Sequence, residues 1–310
     1  MIYCYDFCGQ LGNHLLTMIN LVQFVELLRK PLQYNSIYMK YFFDITLPNY
    51  REIATKKTKV TIHSRNLVSI FNSNPNFSKE MVRKIATHTD IHIKQPFLGE
   101  LFFKYSFVNP NHFIKIKPTL CNAYVTRNNT ITIGIHIRDM GAWNKRHEGV
   151  SDLQPSYYIR AIEYCLHKKD ELCGCDDNNN TNTKKQLLFI LMGATSNKQS
   201  SRGEKCDVSH YPPYVETETY LKNNNIHFEY CITTVKPKLN FIYDWYQLSQ
   251  CDVIISSAGT FAISAGILGK PHKKIIHSKE WVEYAAKKHD TFWKDLYDGG
   301  NQYYQLWRLI

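Results

Sequence analysis

Phe241 to His277, FIYDWYQLSQCDVIISSAGTFAISAGILGKPHKKIIH, is the stretch that decides the fold. Phe241 to Cys251 carries apolar residues at helical spacing and predicts a helix. Asp252 to Ser256 (DVIIS) is a short β-branched run, as expected of a strand buried on both faces. Thr260 to Leu268 returns to a helix, ended near Gly269, and Lys273 to His277 predicts another strand.

The same alternation extends outward in both directions. Upstream, Ile131 to Ile137 (ITIGIHI) and Leu187 to Met192 predict buried strands, and Ile226 to Cys231 a further one. Pro155 to Lys168 and Tyr214 to Asn223 have helical spacing, the former with proline near its start. Downstream, Lys279 to Lys288 predicts a helix. Strands alternating with helices at this spacing imply a doubly wound parallel sheet. The chain's first residues repeat the theme: strand Ile2 to Tyr5, the loop Gly9-Gln10-Leu11-Gly12-Asn13, and an apolar helix Leu15 to Leu28 stopped at Arg29-Lys30-Pro31. Ile37 to Phe43, Val60 to His63 and Ile91 to Ile93 read as strands, and Lys79 to Thr87 as a helix. Pro118 and Asn128-Asn129 break the pattern, which places a boundary between an N-terminal α/β domain, 1–120, and a C-terminal one, 121–310.

Composition narrows the class. With 310 residues, 44% hydrophobic and 21% charged, the chain supports real cores and is not a disordered polymer. No signal peptide is read at the N-terminus and no membrane span in the sequence, so the expectation is a soluble, cytoplasmic protein. The net charge of +11 suits an anionic ligand. The cations are scattered rather than gathered in a stripe, which argues against a nucleic-acid partner. The nine cysteines form no disulfide grid, and Cys173-Gly174-Cys175 has no second pair at zinc spacing, so no metal is expected.

Three segments carry polar residues where a ligand would lie, near the C-terminal ends of the strands. Gly9 and Gly12 let the backbone turn and approach a ligand, and Asn13 either caps the helix or points into a cleft. His136 and Arg138 alternate onto one face at the end of an apolar strand, where a guanidinium fork suits a pyrophosphate. Asp244 lies on the helix that feeds Ile254-Ile255-Ser256-Ser257-Ala258-Gly259-Thr260-Phe261, whose turn is either an anion nest or an ordinary helix cap made by Thr260 or Ser257.

In this order the segments resemble the motifs of the α-1,2-fucosyltransferases (glycosyltransferase family 11), and more loosely the wider α-1,2/α-1,6/protein O-fucosyltransferase group. Gly9-Gln10-Leu11-Gly12-Asn13 is similar to that family's G-R-L-G-N loop, and His136 and Arg138 to its H-x-R-R-x-D strand motif. His147 followed by Leu153-Gln154-Pro155-Ser156-Tyr157-Tyr158-Ile159-Arg160-Ala161-Ile162 resembles a histidine and Leu-x-x-Tyr-Tyr-x-x-Ala-Ile stretch, one residue longer. Asp244 to Asp252 with Gly259-Thr260-Phe261 resembles D-x-x-x-L-S-x-C/A-D followed by S-T-F.

The resemblance implies a GT-B-like fold, two Rossmann-like domains facing across a cleft, with the acceptor on the N-terminal side. It implies GDP-fucose as donor, a glycan hydroxyl as acceptor, inversion at the anomeric carbon, and no metal or other cofactor. Arg138 would hold the β-phosphate, His136 and Asp244 the guanine end, and Ser257, Thr260 and Phe261 the phosphate turn. Gly9, Gly12 and Asn13 would approach from the other domain. Asp139, His147 and Glu148, on the loop after the strand, are candidates for the general base by position. The sequence departs from the pattern at Asp139, where the family has a second arginine, at Gly141, where it has aspartate, and at Ala262-Ile263, which replace an aromatic pair. These departures keep two alternatives open: another GDP-sugar enzyme, or an inactive protein of the same fold that binds nucleotide or glycan.

Overall fold

The computed structural model describes residues 1–7, 9–50, 58–63, 89–94, 108–121, 129–137, 153–173, 185–192, 211–231, 240–257, 259–270, 273–289 and 306–310. Two compact units emerge, one built on Met1–Lys117 and the other on Pro118–Trp293 with Tyr304–Ile310.

In the first unit, β1 (Ile2–Cys4) leads into α1 (Leu11–Leu28), followed by β2 (Leu32–Tyr34), α2 (Ile37–Phe42), β3 (Phe43–Ile45), β4 (Thr58–His63), β5 (Thr89–Lys94) and β6 (Ile114–Ile116). Four strands form a parallel sheet in the order β2-β1-β5-β4, and β3 pairs with β6 antiparallel. Ile2, Cys4, Ile91 and Ile93 are buried. They occupy alternate positions, so they share one side of the sheet. By length and composition α1 could cross a membrane. Here it is a core helix: every residue but Asn13 and Glu26 is buried. It ends at Arg29, which adopts the left-handed conformation (φ 52°) and donates its N–H to the Val25 carbonyl.

Residues 37–42 correct the strand expected there. They form a helix because Ser36, in extended conformation, accepts the Met39 N–H with its hydroxyl at 3.3 Å. That cap satisfies a donor that propensity alone leaves out, and it outweighs the β-forming tyrosines and phenylalanine. Strand pairing begins only at Phe43. The helix expected at Lys79 to Thr87 lies outside the described residues.

The second unit runs α3 (Pro118–Cys121), β7 (Thr130–His136), α4 (Pro155–His167), α5 (Lys169–Cys173), β8 (Gln186–Met192), α6 (Pro212–Asn223), β9 (Phe228–Tyr230), α7 (Asn240–Gln250), β10 (Val253–Ile255), α8 (Thr260–Ile267), β11 (Lys274–His277), α9 (Lys279–His289) and β12 (Leu306–Leu309). All six strands are parallel, in the order β12-β11-β10-β7-β8-β9. Read from β9, this is third, second, first, fourth, fifth, sixth in chain order, which is the Rossmann arrangement. Right-handed crossovers then place α4 and α6 on one face and α7, α8 and α9 on the other. Side-chain contacts agree with this division. Tyr220 of α6 donates to Glu163 of α4 at 3.1 Å, and the Trp245 indole of α7 to the Ser264 hydroxyl of α8 at 3.0 Å.

Gly134, in the middle of β7, sets how closely α7 lies on the sheet. A Cβ there would come within 2.7 Å of Leu248 Cδ1 and 3.0 Å of Cys251 Sγ. The absence of a side chain therefore lets α7 settle against the strand.

Candidate functional site

In a doubly wound sheet, a crevice opens at the carboxyl edge where the strand order reverses. Here that point lies between β7 and β10, whose facing register pairs Ile135 with Ile255. His136 ends β7, and Ser256 and Ser257 follow β10. Because side chains alternate along a strand, His136 shares the face of Gly134, the face that α7 covers.

The residues from the two strands meet there. Ser257 Oγ is 2.6 Å from His136 Nδ1. The Phe261 ring, on the first turn of α8, stacks on the imidazole with centroids 4.9 Å apart and planes inclined by 20°. Thus His136, Ser257 and Phe261, 125 residues apart at the extremes (261 − 136), form one cluster. Gly259 is the N-cap of α8, at φ 109°, with no side-chain hydrogen bond across the cap. Neither Ser257 nor Thr260 makes the ordinary cap that the sequence left open. Thr260 is the first helical residue, so the N-terminal turn of α8 sits beside the cluster, where its dipole favours an anion.

The turn rests on a buried support that sequence reasoning missed. Tyr157, near the start of α4, donates its hydroxyl to the carbonyls of Ser256 (2.8 Å) and Ile276 (3.1 Å) and is 2% exposed. It thereby ties the carboxyl ends of β10 and β11 together. The Ser256 hydroxyl in turn donates to the Ser257 carbonyl at 2.8 Å. The Tyr157-Tyr158 pair was visible in the sequence, but the carbonyls it reaches are about a hundred residues away.

Asp244 lies on α7, and the structure brings it to the end of β9. The buried Cys231 thiol lies 3.2 Å from both Asp244 Oδ1 and Gln247 Oε1. The other end of the same sequence motif serves the opposite edge of the sheet. Asp252 Oδ2 accepts the Thr132 N–H (2.9 Å) and hydroxyl (3.0 Å), while Oδ1 pairs with Lys270. Leu248 packs at Gly134, and Cys251, fully buried, has its thiol pushed up to about 12 by loss of solvation. Only the first residue of that motif points toward the carboxyl edge; the rest hold β7, α7 and β10 in register.

In the first unit, Gly9 has φ 81°, and a Cβ there would overlap the Asn13 amide. Asn13 therefore folds back over the glycine loop. Gly12 is buried in the first turn of α1, whose N-cap is Gln10 without a side-chain bond. His14, not singled out in the sequence, is 7% exposed and lies 2.8 Å from the Ser36 hydroxyl through Nδ1. Phe7 and the edge-on Tyr38 surround it, with centroids at 5.1 and 4.7 Å. Burial pushes its pKa down to about 4, so it is a neutral ring linking α1 to the cap of α2.

Arg138, Asp139, His147 and Glu148 lie outside the described residues. Among the described residues, no group of three or more His, Cys, Asp or Glu side chains is placed to hold a metal ion.

No family model matches the sequence, and no curated protein does. Among solved structures, the chain is similar to Arabidopsis thaliana FUT1, determined as a mutant in complex with GDP. The identity is 12% and the TM-score 0.48, over 86% of this chain and 68% of that one. The Rossmann assignment of the second unit rests on its strand order.

Proposed function

We propose that the protein is a glycosyltransferase of GT-B type that takes a GDP-sugar, fucose in the first instance, and passes the sugar to a glycan hydroxyl with inversion. The observation that carries this reading is the cluster of His136, Ser257 and Phe261 beside the N-terminus of α8, at the switch point of a Rossmann-ordered sheet. A polar and aromatic cluster next to a helix N-terminus, where α/β sheets bind their ligands, suits a nucleotide diphosphate. The order of motifs along the sequence supplies the guanine and the sugar.

On this reading the donor binds the second unit and the acceptor is recognised by the first. Arg138, two residues beyond His136, is assigned to the β-phosphate. Its hydrogen bonds strengthen as negative charge builds on the departing GDP, so they stabilise the transition state more than the bound donor. Asp139, His147 or Glu148 takes the proton of the attacking hydroxyl. No metal is required, because Arg138 and the α8 dipole offset the leaving-group charge. Asp139 favours a second reading, a protein that binds the nucleotide without turnover, since a carboxylate beside a diphosphate repels it.

Turnover separates the two. Release of GDP from GDP-fucose, with and without glycan acceptors and in the presence of EDTA, is expected from the wild type and lost in Arg138→Ala. Binding without release in any acceptor would favour the second reading. Normal turnover by a folded Arg138→Ala would remove the assigned mechanism.

A further inference from the structure

We infer that Ser257 is a positioning residue for His136: its hydroxyl fixes the imidazole in the tautomer whose proton sits on Nε2. The inference deepens the donor-site reading above and rests on it only for the identity of the ligand. Ser257 is 3% exposed, so its hydroxyl is withdrawn from solvent and turned to the histidine. At 2.6 Å from Nδ1 the hydroxyl can donate to a bare ring nitrogen or accept from a protonated one, and the proposed arrangement is the first. A hydroxyl that donates to Nδ1 needs the lone pair there, which leaves the ring proton on Nε2.

Each freedom of the ring is removed by a different neighbour. Phe261 stacks on its face and fixes the plane. Ser257 fixes the rotation within that plane and the tautomer. Ser257 itself is held by the Ser256 hydroxyl on its carbonyl, and Ser256 by Tyr157. A neutral imidazole locked in this way offers one N–H donor to a phosphate or hydroxyl oxygen without needing a net charge. Pre-organisation of this kind raises affinity by removing the cost of choosing the tautomer and rotamer on binding.

The test reads the tautomer directly. Protein labelled with 15N in histidine gives the protonation of each ring nitrogen from long-range proton–nitrogen NMR, with His136→Gln identifying the signals. The expected spectrum of the ligand-free wild type has a bare Nδ1 and a protonated Nε2. In Ser257→Ala the two tautomers mix and GDP affinity falls by about tenfold, equivalent to about 1.4 kcal/mol. Ser257→Thr keeps the hydroxyl and restores both. A wild-type His136 protonated on Nδ1 overturns the inference, as does Ser257→Ala with unchanged tautomer and affinity. If the wild type binds no GDP, the donor reading fails while the spectrum of the free protein still decides the role of Ser257.

Discussion

Replacing Gly134 with alanine places a methyl group 2.7 Å from Leu248 Cδ1 and 3.0 Å from Cys251 Sγ. Carbon atoms pack at ~3.5–4.0 Å, so the overlap with Leu248 is about 1 Å. Leu248 and Cys251 are both fully buried, which leaves the side chains little room to give way. Overpacking of this kind costs ~1–3 kcal/mol. Alanine restricts the unfolded chain and returns ~0.4–1 kcal/mol of that. The net expectation is a loss of about 1–2 kcal/mol, readable as a lower denaturant midpoint with unchanged slope. Leu248→Ala alone opens a cavity and costs ~2–5 kcal/mol. The methyl of Gly134→Ala would partly fill that cavity, so the double variant should lose less than the sum of the single losses. Strict additivity, or a Gly134→Ala protein as stable as the wild type, would refute the packing of α7 on β7 and with it the face assigned to His136.

Two further expectations concern the support of the same turn. Tyr157→Phe removes the donor shared by the Ser256 and Ile276 carbonyls; Ile276 keeps the Ser256 N–H at 2.9 Å, so the loss falls mainly on Ser256. Chemical denaturation should show ~1–3 kcal/mol of destabilisation, with weaker GDP binding, whereas unchanged stability would mean that the hydroxyl supports nothing. At the other end of α8, the buried Lys273 ammonium donates to the carbonyls of Ala265 (2.7 Å) and Leu268 (3.1 Å). Burial pushes its pKa down to about 7 from 10.5. Between those values the unfolded chain holds the proton and the native protein does not, so stability rises with pH across that window, by at most about 1.4 kcal/mol per unit. The difference between wild-type and Lys273→Met stability, followed from pH 6 to 10 on the scale of that window, should carry this slope. A flat difference would contradict the depressed lysine.

How much of this was legible beforehand follows from where the information sits. The β-branched run of β7 and the continuous apolar run of β8 announce strands buried on both faces, and helix α4 between them shows its periodicity. The three-residue strands LQY of β2 and FDI of β3 are too short to carry any period, and Arg308 breaks the apolar character of β12. The stretch IYMKYF read as a strand because its residues favour one; the deciding contact is the Ser36 cap just before it. The candidate site divides in the same way. His136 stood out as a polar residue closing an apolar strand, and Ser257 and Phe261 as members of a turn. Their meeting is a property of the strand order, which puts β7 beside β10 across a separation of 121 residues between His136 and Ser257. Tyr157 and Cys231 act through partners that no local pattern identifies.

The carboxyl edge at β7 and β10 is proposed to hold a guanine nucleotide, and calorimetry on the purified protein reads that binding directly. GDP and GDP-fucose are titrated against UDP and ADP, with EDTA present, into the wild type and His136→Ala. Binding is expected to be selective for guanine, indifferent to EDTA, and weakened at least about tenfold, about 1.4 kcal/mol, in the variant. Equal affinity for the three diphosphates, or GDP binding untouched by the loss of His136, would contradict it.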